Sequence, residues 1–249
     1  MHALVLAGVA VWCFLTALAG GLVGLVLGNI RLPVLLFAAS APAPAAGANI
    51  AISGIAAATA SVTHVRARRV DWRLVAWMTP PSVAGAVGGG FLATEVPADA
   101  LRIVIGSALI VFGIDTLRSH RPPPSAARDT LNLRAAVVVG LAIGFLGGLI
   151  GLILGSLRMP ALLRWVGQEP ARAIGTNLVV GIAVGAAGLI GHLPGGIDWT
   201  LLGVGAAASI PGALLGSRLT GRLSAPQLLR AVGAILIVAG TAAILQGVT

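Results

Sequence analysis

Two arginines carry the chemistry in this sequence, because each is placed where a charge is hardest to keep. Arg31 lies in "GLVLGNIRLP", Gly24 to Pro33, and Arg158 lies in "GLILGSLRMP", Gly151 to Pro160. Both stretches sit inside long apolar runs. Glycines four apart, such as Gly24 and Gly28, share one helical face and let another backbone approach. Asn29 is placed to cap a helix that begins near Ile30. Pro33 is tolerated in the first turn, where a missing N–H removes no helical bond. Arg31 then falls in the first turn of a half-helix, and Gly155, Ser156, Arg158 and Pro160 repeat the arrangement. A helix N-terminus carries unpaired N–H groups and partial positive charge, so an arginine there is unfavourable until an anion arrives. The planar guanidinium fork suits carboxylate, sulfonate or phosphate oxygens. The competing role is structural, an arginine that snorkels to an interface or pairs with a carboxylate. No Asp or Glu stands near either motif, and each arginine is in the middle of its apolar run, which favours the anion site.

The elements that hold these residues must be membrane helices. The chain has 249 residues, of which 57% are hydrophobic and only 9% charged, and its mean hydropathy is +1.01. A soluble domain carries about 25% charged residues, so this chain cannot cover a water-facing surface. A helical span needs roughly 20 apolar residues, and most of the sequence divides into such pieces. The ten-residue alternation of an outer-membrane barrel is absent. Residues 1 to 27 lack the basic start of a signal peptide and run on past any cleavage site, so they are expected to stay as a membrane segment. The net charge of +9 comes from arginines scattered through short loops, which set membrane orientation rather than bind nucleic acid.

The chain repeats itself. Gly21, Gly24, Gly28, Arg31 and Pro33 match Gly148, Gly151, Gly155, Arg158 and Pro160 at one constant offset. After a one-residue slip, "GAN" at Gly47–Asn49 matches "GTN" at Gly175–Asn177, and His64 matches His192. "DW" at Asp71–Trp72 matches Asp198–Trp199, and Ser82, Gly85 and Gly89 match Ser209, Gly212 and Gly216. The predicted organisation is a first membrane repeat over 1–121, a cytoplasmic linker over 122–130 and a second membrane repeat over 131–249. The proline-rich "RPPPSAARDT", Arg121 to Thr130, reads as the loop between them. Each half divides into five apolar pieces: 3–20, 21–41, 44–64, 72–93 and 99–117, then 133–147, 148–166, 171–191, 198–217 and 225–246. The second piece of each half is short and broken by glycine, a polar residue and proline.

Arginine bias sets the orientation. Arg66, Arg68, Arg69 and Arg73 mark one inside loop, Arg118, Arg121, Arg128 and Arg134 the central one, and Arg218 and Arg222 a short loop of the second half. The first-half counterpart of that last loop carries Glu95 and Asp99, and the counterpart of Arg66–Arg73 is the arginine-free "HLPGGID". The bias swaps between halves, so the positive-inside rule predicts two repeats of inverted topology with both termini outside. The fold class is therefore an all-α polytopic helical bundle of two inverted repeats with broken or re-entrant helices. It has either eight full spans plus two short broken segments or about ten crossings. Four crossings per half would instead give parallel repeats. Inverted-repeat transporters hold substrate near the midplane on discontinuous helices.

The remaining candidates carry alternatives. His64 and His192 lie at helix ends, as interfacial structural residues or as proton carriers. Asn49 and Asn177 open helices after short loops, as caps or as substrate contacts. Trp72 and Trp199 read as interfacial belt residues, Asp71 and Asp198 as loop caps, and Asp115 as a partner for Arg118. The single Cys13 allows no internal disulfide and reads as packing. No Gly-x-Ser-x-Gly or H-E-x-x-H pattern occurs, which disfavours an enzyme and leaves no metal or cofactor set. An anion channel, a proton-coupled carboxylate carrier and a drug or metabolite carrier are the rival transport functions. The expected partners are a small anion and the lipid bilayer, with no nucleic acid. The expected location is the inner (plasma) membrane, and oligomeric state is left open.

The chain resembles a known family. "GLVLGNIRLPVLL" and "GLILGSLRMPALL", followed by "GANIAISG" and "GTNLVVGI", are similar to the TauE/SafE family of sulfite exporters and related anion permeases. "RRVDWRL" to "GGGFLA" and "IDWTLL" to "GALLGSRL" fit as well. The likeness spans nearly the whole chain. It implies transport of a small anion, often sulfur-containing. Val26 and Leu27 stand where the family commonly has glycines.

Overall fold

The computed structural model describes residues 3–23, 26–118, 132–168, 170–218 and a few helical positions between 237 and 248. The linker over 122–130 and most of the last apolar piece, 225–246, lie outside the described residues. Among the described residues the chain is all-helical. In order come α1 (Ala3–Val23), α2 (Gly28–Ala38), α3 (Pro42–Arg66), α4 (Trp72–Glu95), α5 (Ala98–Arg118) and α6 (Leu133–Ile150). They are followed by α7 (Gly155–Ala161), a π-helical turn (Leu162–Val166), α8 (Pro170–His192), a 3-10 turn (Leu193–Gly195) and α9 (Trp199–Arg218). Among the described residues five helices, α1, α3, α6, α8 and α9, are long and apolar enough to cross a membrane.

The broken second piece of each half divides differently from expectation. α1 and α6 run on to Val23 and Ile150. The real breaks are short: Val26 and Leu27 are non-helical ahead of α2, and 151–154 ahead of α7. Gly151 turns left-handed there, at φ 75°, a conformation that glycine adopts without strain. Two caps follow the sequence reading. The Asp71 carboxylate accepts from Leu74 N at 3.0 Å, and Asp198 accepts from Leu201 N at 3.0 Å. Trp72 and Trp199 open α4 and α9 and are exposed, as belt residues would be.

Close backbone packing explains the repeated glycines. A methyl added at Gly89 would sit 2.1 Å from the Phe145 carbonyl oxygen. One added at Gly216 would sit 2.1 Å from the Leu18 oxygen. Helices in lipid gain little from hydrophobic burial against each other, so small residues that admit a neighbouring backbone carry the association. Ser82 faces Gly144 and Ala86 faces Gly148, so α4 and α6 are parallel. Phe14 faces Gly212 and Leu18 faces Gly216, so α1 and α9 are parallel. Across the centre, Ile50 meets Gly188, Gly54 meets Gly185 and Ala57 meets Gly181, so α3 and α8 are antiparallel. Asp71 bonds Thr176 near one end of α4 and α8, and Gly90 touches Gly191 near the other. Gly47 abuts Ile197 and Gly205 abuts Ile52, which runs α9 along α3. Thus α1, α3 and α9 point one way, and α4, α6 and α8 the other. Each half contributes helices to both sets. Arg66, Arg68, Arg69, Arg73, Arg134, Arg172 and Arg218 gather at the helix ends of one face, and Glu95, Asp99 and Asp198 at those of the opposite face.

Candidate functional site

Arg31 is the fourth residue of α2 and Arg158 the fourth of α7. Both stand in a first turn, as the spacing predicts. Burial is complete: Arg31 is 1% exposed and Arg158 0%. Removing a guanidinium from water to mid-bilayer costs about 2.5–3.5 kcal/mol even on the lenient insertion scale. Its N–H groups therefore need partners.

The first half supplies them. Arg31 Nε donates to Asn49 Oδ1 at 2.9 Å, and Nη2 donates to the Asn49 carbonyl at 3.1 Å and to the Ser53 hydroxyl. Ser53 stands near the middle of the 25-residue α3, so this cluster is at mid-depth. Asn49 also reaches the other half, where its Nδ2 donates to the Gly151 carbonyl at 2.8 Å. One amide thus ties the arginine of the first break to the backbone of the second. Gly28 is needed here, because a methyl on it would collide with the Ser53 hydroxyl.

The second half is poorer. Arg158 Nη1 donates to Asn177 Oδ1 at 3.2 Å, while its Nε and Nη2 are buried without a hydrogen-bond partner. Gly155 again makes room, since a methyl there would lie 2.8 Å from Asn177 Nδ2. Among the described residues neither arginine is hydrogen-bonded or ion-paired to a carboxylate. Asn49 and Asn177 sit on opposite sides of the Gly54–Gly185 crossing, so the two arginine clusters are staggered in depth.

Three sequence expectations are corrected. Asn29 is not the cap of α2: the N-cap is Leu27, which gives no side-chain bond, and Asn29 Oδ1 accepts from Ile30 N at 3.1 Å inside the first turn. Helix begins at Gly28 because the break before it ends two residues earlier than the polar residue suggested. Pro33 consequently falls in the second turn and deprives the Asn29 carbonyl of its helical donor. The neighbouring Ile30 carbonyl accepts from Trp12 Nε1 at 3.1 Å, so α1 helps bind the disturbed turn, as neighbouring helices do around membrane prolines. Asn49 and Asn177 do not open their helices. α3 and α8 begin at Pro42 and Pro170, and both asparagines stand about two turns inside. Pro160 holds the place of Pro33 in α7. The side chains of Ser156 and Pro160 lie outside the described residues, as does that of Asp115.

The histidines sit against the glycines of the opposite half. His192 is buried, its Nε2 donates to the Gly148 carbonyl at 2.8 Å, and it packs on Gly47. His64 is half-buried and packs on Gly175. The Gly-x-Asn motif therefore holds two functions in three residues, a seat for the other half's histidine and a partner for its own half's arginine. Sequence reasoning missed Ser53, although it lies one turn after Asn49 on the same face. It also missed Gly151 as an acceptor. Among the described residues no three His, Cys, Asp or Glu side chains gather to hold a metal.

Comparison with known proteins finds membrane transporters. Residues 9–243 match the family model described as sulfite exporter TauE/SafE. The chain is 26% identical over 238 residues to the probable membrane transporter protein YjnA of Bacillus subtilis (strain 168), covering 89% of this chain and 94% of that one. It is 28% identical over 246 residues to the probable membrane transporter protein y4hK of Sinorhizobium fredii, covering 94% and 96%. No solved structure matches the chain at a significant level. With the family model spanning all but the ends of the chain, this protein belongs to the sulfite exporter TauE/SafE family of membrane transporters.

Proposed function

We propose that the protein carries a small oxyanion, of the sulfite or sulfonate kind, across the inner (plasma) membrane by alternating access at a mid-depth site between its two broken segments. The observation that carries this reading is a pair of wholly buried guanidinium groups with no carboxylate bonded to either, one of them with two nitrogens unserved. An uncompensated cation in an apolar interior is stabilised by an anion that comes and goes. The candidate contacts are Arg31, Arg158, Asn49 and Asn177, with Asn29, Ser156, Gly28, Gly155, Pro33 and Pro160 shaping the breaks around them. His64 and His192 fill helix-end seats and are not required as proton carriers.

Helix direction supports inverted repeats over 1–121 and 131–249. The matched pairs α1 and α6, α3 and α8, and α4 and α9 each run opposite ways. The arginine-bearing face is then cytoplasmic. The test is a thermal-shift screen of purified protein against sulfite, sulfate, thiosulfate, sulfonates, carboxylates and halides. A ligand at a hundred times its Kd stabilises by about 2.7 kcal/mol, which a melting curve resolves. Stabilisation by at least one oxyanion is expected. Stabilisation by cations or neutral solutes with none from any anion refutes the reading.

A further inference from the structure

The two arginines match in sequence but not in their bonds. The offset that pairs Asn49 with Asn177 also pairs Ser53 with Gly181. A guanidinium presents Nε–H and Nη2–H side by side on one edge, the edge that grips two oxygens of a planar or pyramidal oxyanion. In Arg31 that edge is held by the protein's own oxygens, those of Asn49 and Ser53. In Arg158 the same edge is buried and unpaired, and the position that would supply the hydroxyl is a glycine. Arg31 also borders a cavity of about 10 Å³, lined by Thr16, Gly20 and Ala60 among others. That is room for one water and too small for a sulfur oxyanion.

Resting on the anion reading above, we infer that Arg158 is the residue that grips the anion, through its Nε–Nη2 edge, and that Arg31 is a positioning residue that holds the two breaks together through Asn49. By the repeat, Gly181 is the position from which a hydroxyl would serve the Arg158 edge. The substrate class is an oxyanion that presents two oxygens on one face, which favours sulfite, sulfonates and carboxylates over halides. The surroundings of Gly181 are apolar. A Cβ there would first meet Ile153 Cγ2 at 3.3 Å and Ala57 Cβ at 3.7 Å. No polar side chain competes for the edge from that position, and the end of the Ile153 side chain can shift to admit a small residue.

The test compares Gly181→Ser with Gly181→Ala, which differ by one hydroxyl. Binding of sulfite, thiosulfate, methanesulfonate, acetate and chloride to detergent-purified protein is measured by calorimetry, with melting in anion-free buffer as a second readout. The serine hydroxyl is expected to serve Arg158 as Ser53 serves Arg31. Gly181→Ser then binds the preferred oxyanion about tenfold more weakly than Gly181→Ala, a charge-assisted bond's worth, yet melts higher without anion. Arg158→Lys keeps the charge, loses the paired edge and binds at least tenfold more weakly than wild type. Identical affinity and melting for the two residue-181 variants overturn the assignment. Oxyanion binding retained in Arg158→Gln but abolished in Arg31→Gln overturns it too, while leaving the anion reading in place. A wild-type protein that binds none of the five probes removes both.

Discussion

Replacing Asn49 should be more damaging than replacing Asn177, although the two residues match in the repeat. Asn49 is fully buried and makes two side-chain bonds: it accepts from Arg31 Nε at 2.9 Å and donates to the Gly151 carbonyl at 2.8 Å. Asn49→Ala leaves a charged donor and a carbonyl unserved at mid-depth. A hydrogen bond between membrane helices is worth about 0.6 kcal/mol on average and about 1.7 at most. An orphaned buried polar group costs about 1–3 kcal/mol, and more when charged. The two losses together come to about 2–4 kcal/mol, with the Arg31 term the larger. Asn177→Ala gives up one bond at 3.2 Å to an arginine that already has two unserved nitrogens; it also orphans a charged donor but no carbonyl, so about 1–2 kcal/mol is expected. Unfolding in mixed detergent–lipid micelles titrated with sodium dodecyl sulfate measures both. Equal losses, or a larger loss for Asn177→Ala, refute the claim that Asn49 latches the two halves.

Other predictions follow from the packing and the charges. Gly89→Val and Gly216→Val should each abolish the folded protein, because even a Cβ at either site sits 2.1 Å from a backbone oxygen; expression with gel-filtration profiles reads this out, and monodisperse variants contradict it. Cysteines placed at Arg68 and Arg218 should label from the cytoplasm, and those at Asp99 and Gly196 from outside. The reverse result for Arg218 and Gly196 supports parallel repeats. Transport in proteoliposomes should persist in His64→Gln/His192→Gln, since His192 acts by donating to a carbonyl at 2.8 Å, which glutamine can also do. Transport driven by an imposed pH gradient and lost in that double variant points to proton coupling.

The breaks and the arginines were legible because they violate the surrounding apolar pattern, and a violation repeated twice is hard to miss. Which backbone the repeated glycines admit was not legible, because Gly85, Gly89, Gly212 and Gly216 meet backbone from the opposite half. A sequence shows small residues on a face but not which helix arrives there. Asn49 and Asn177 were misplaced as helix openers for a local reason. The glycine before each suggested a loop, whereas Pro42 and Pro170 had already started the helices two turns earlier. Proline at the first helical position is a start signal, and it outweighed the glycine. The Ser53–Gly181 difference is visible once the halves are aligned. Its meaning appears only with the guanidinium bonds, because the two residues look like neutral variation on an apolar helix.

The proposed transport requires the buried arginine charge to meet a moving anion. Current recorded from proteoliposomes on a solid-supported membrane, on a jump in sulfite or methanesulfonate concentration, tests it most directly. Each anion that crosses alone carries charge, and the potential contributes about 2.3 kcal/mol per 100 mV for each elementary charge. A transient with the sign of anion entry is expected, abolished in Arg158→Gln and absent when only the cation is varied. An undiminished transient in Arg158→Gln, or one that follows the cation, contradicts it.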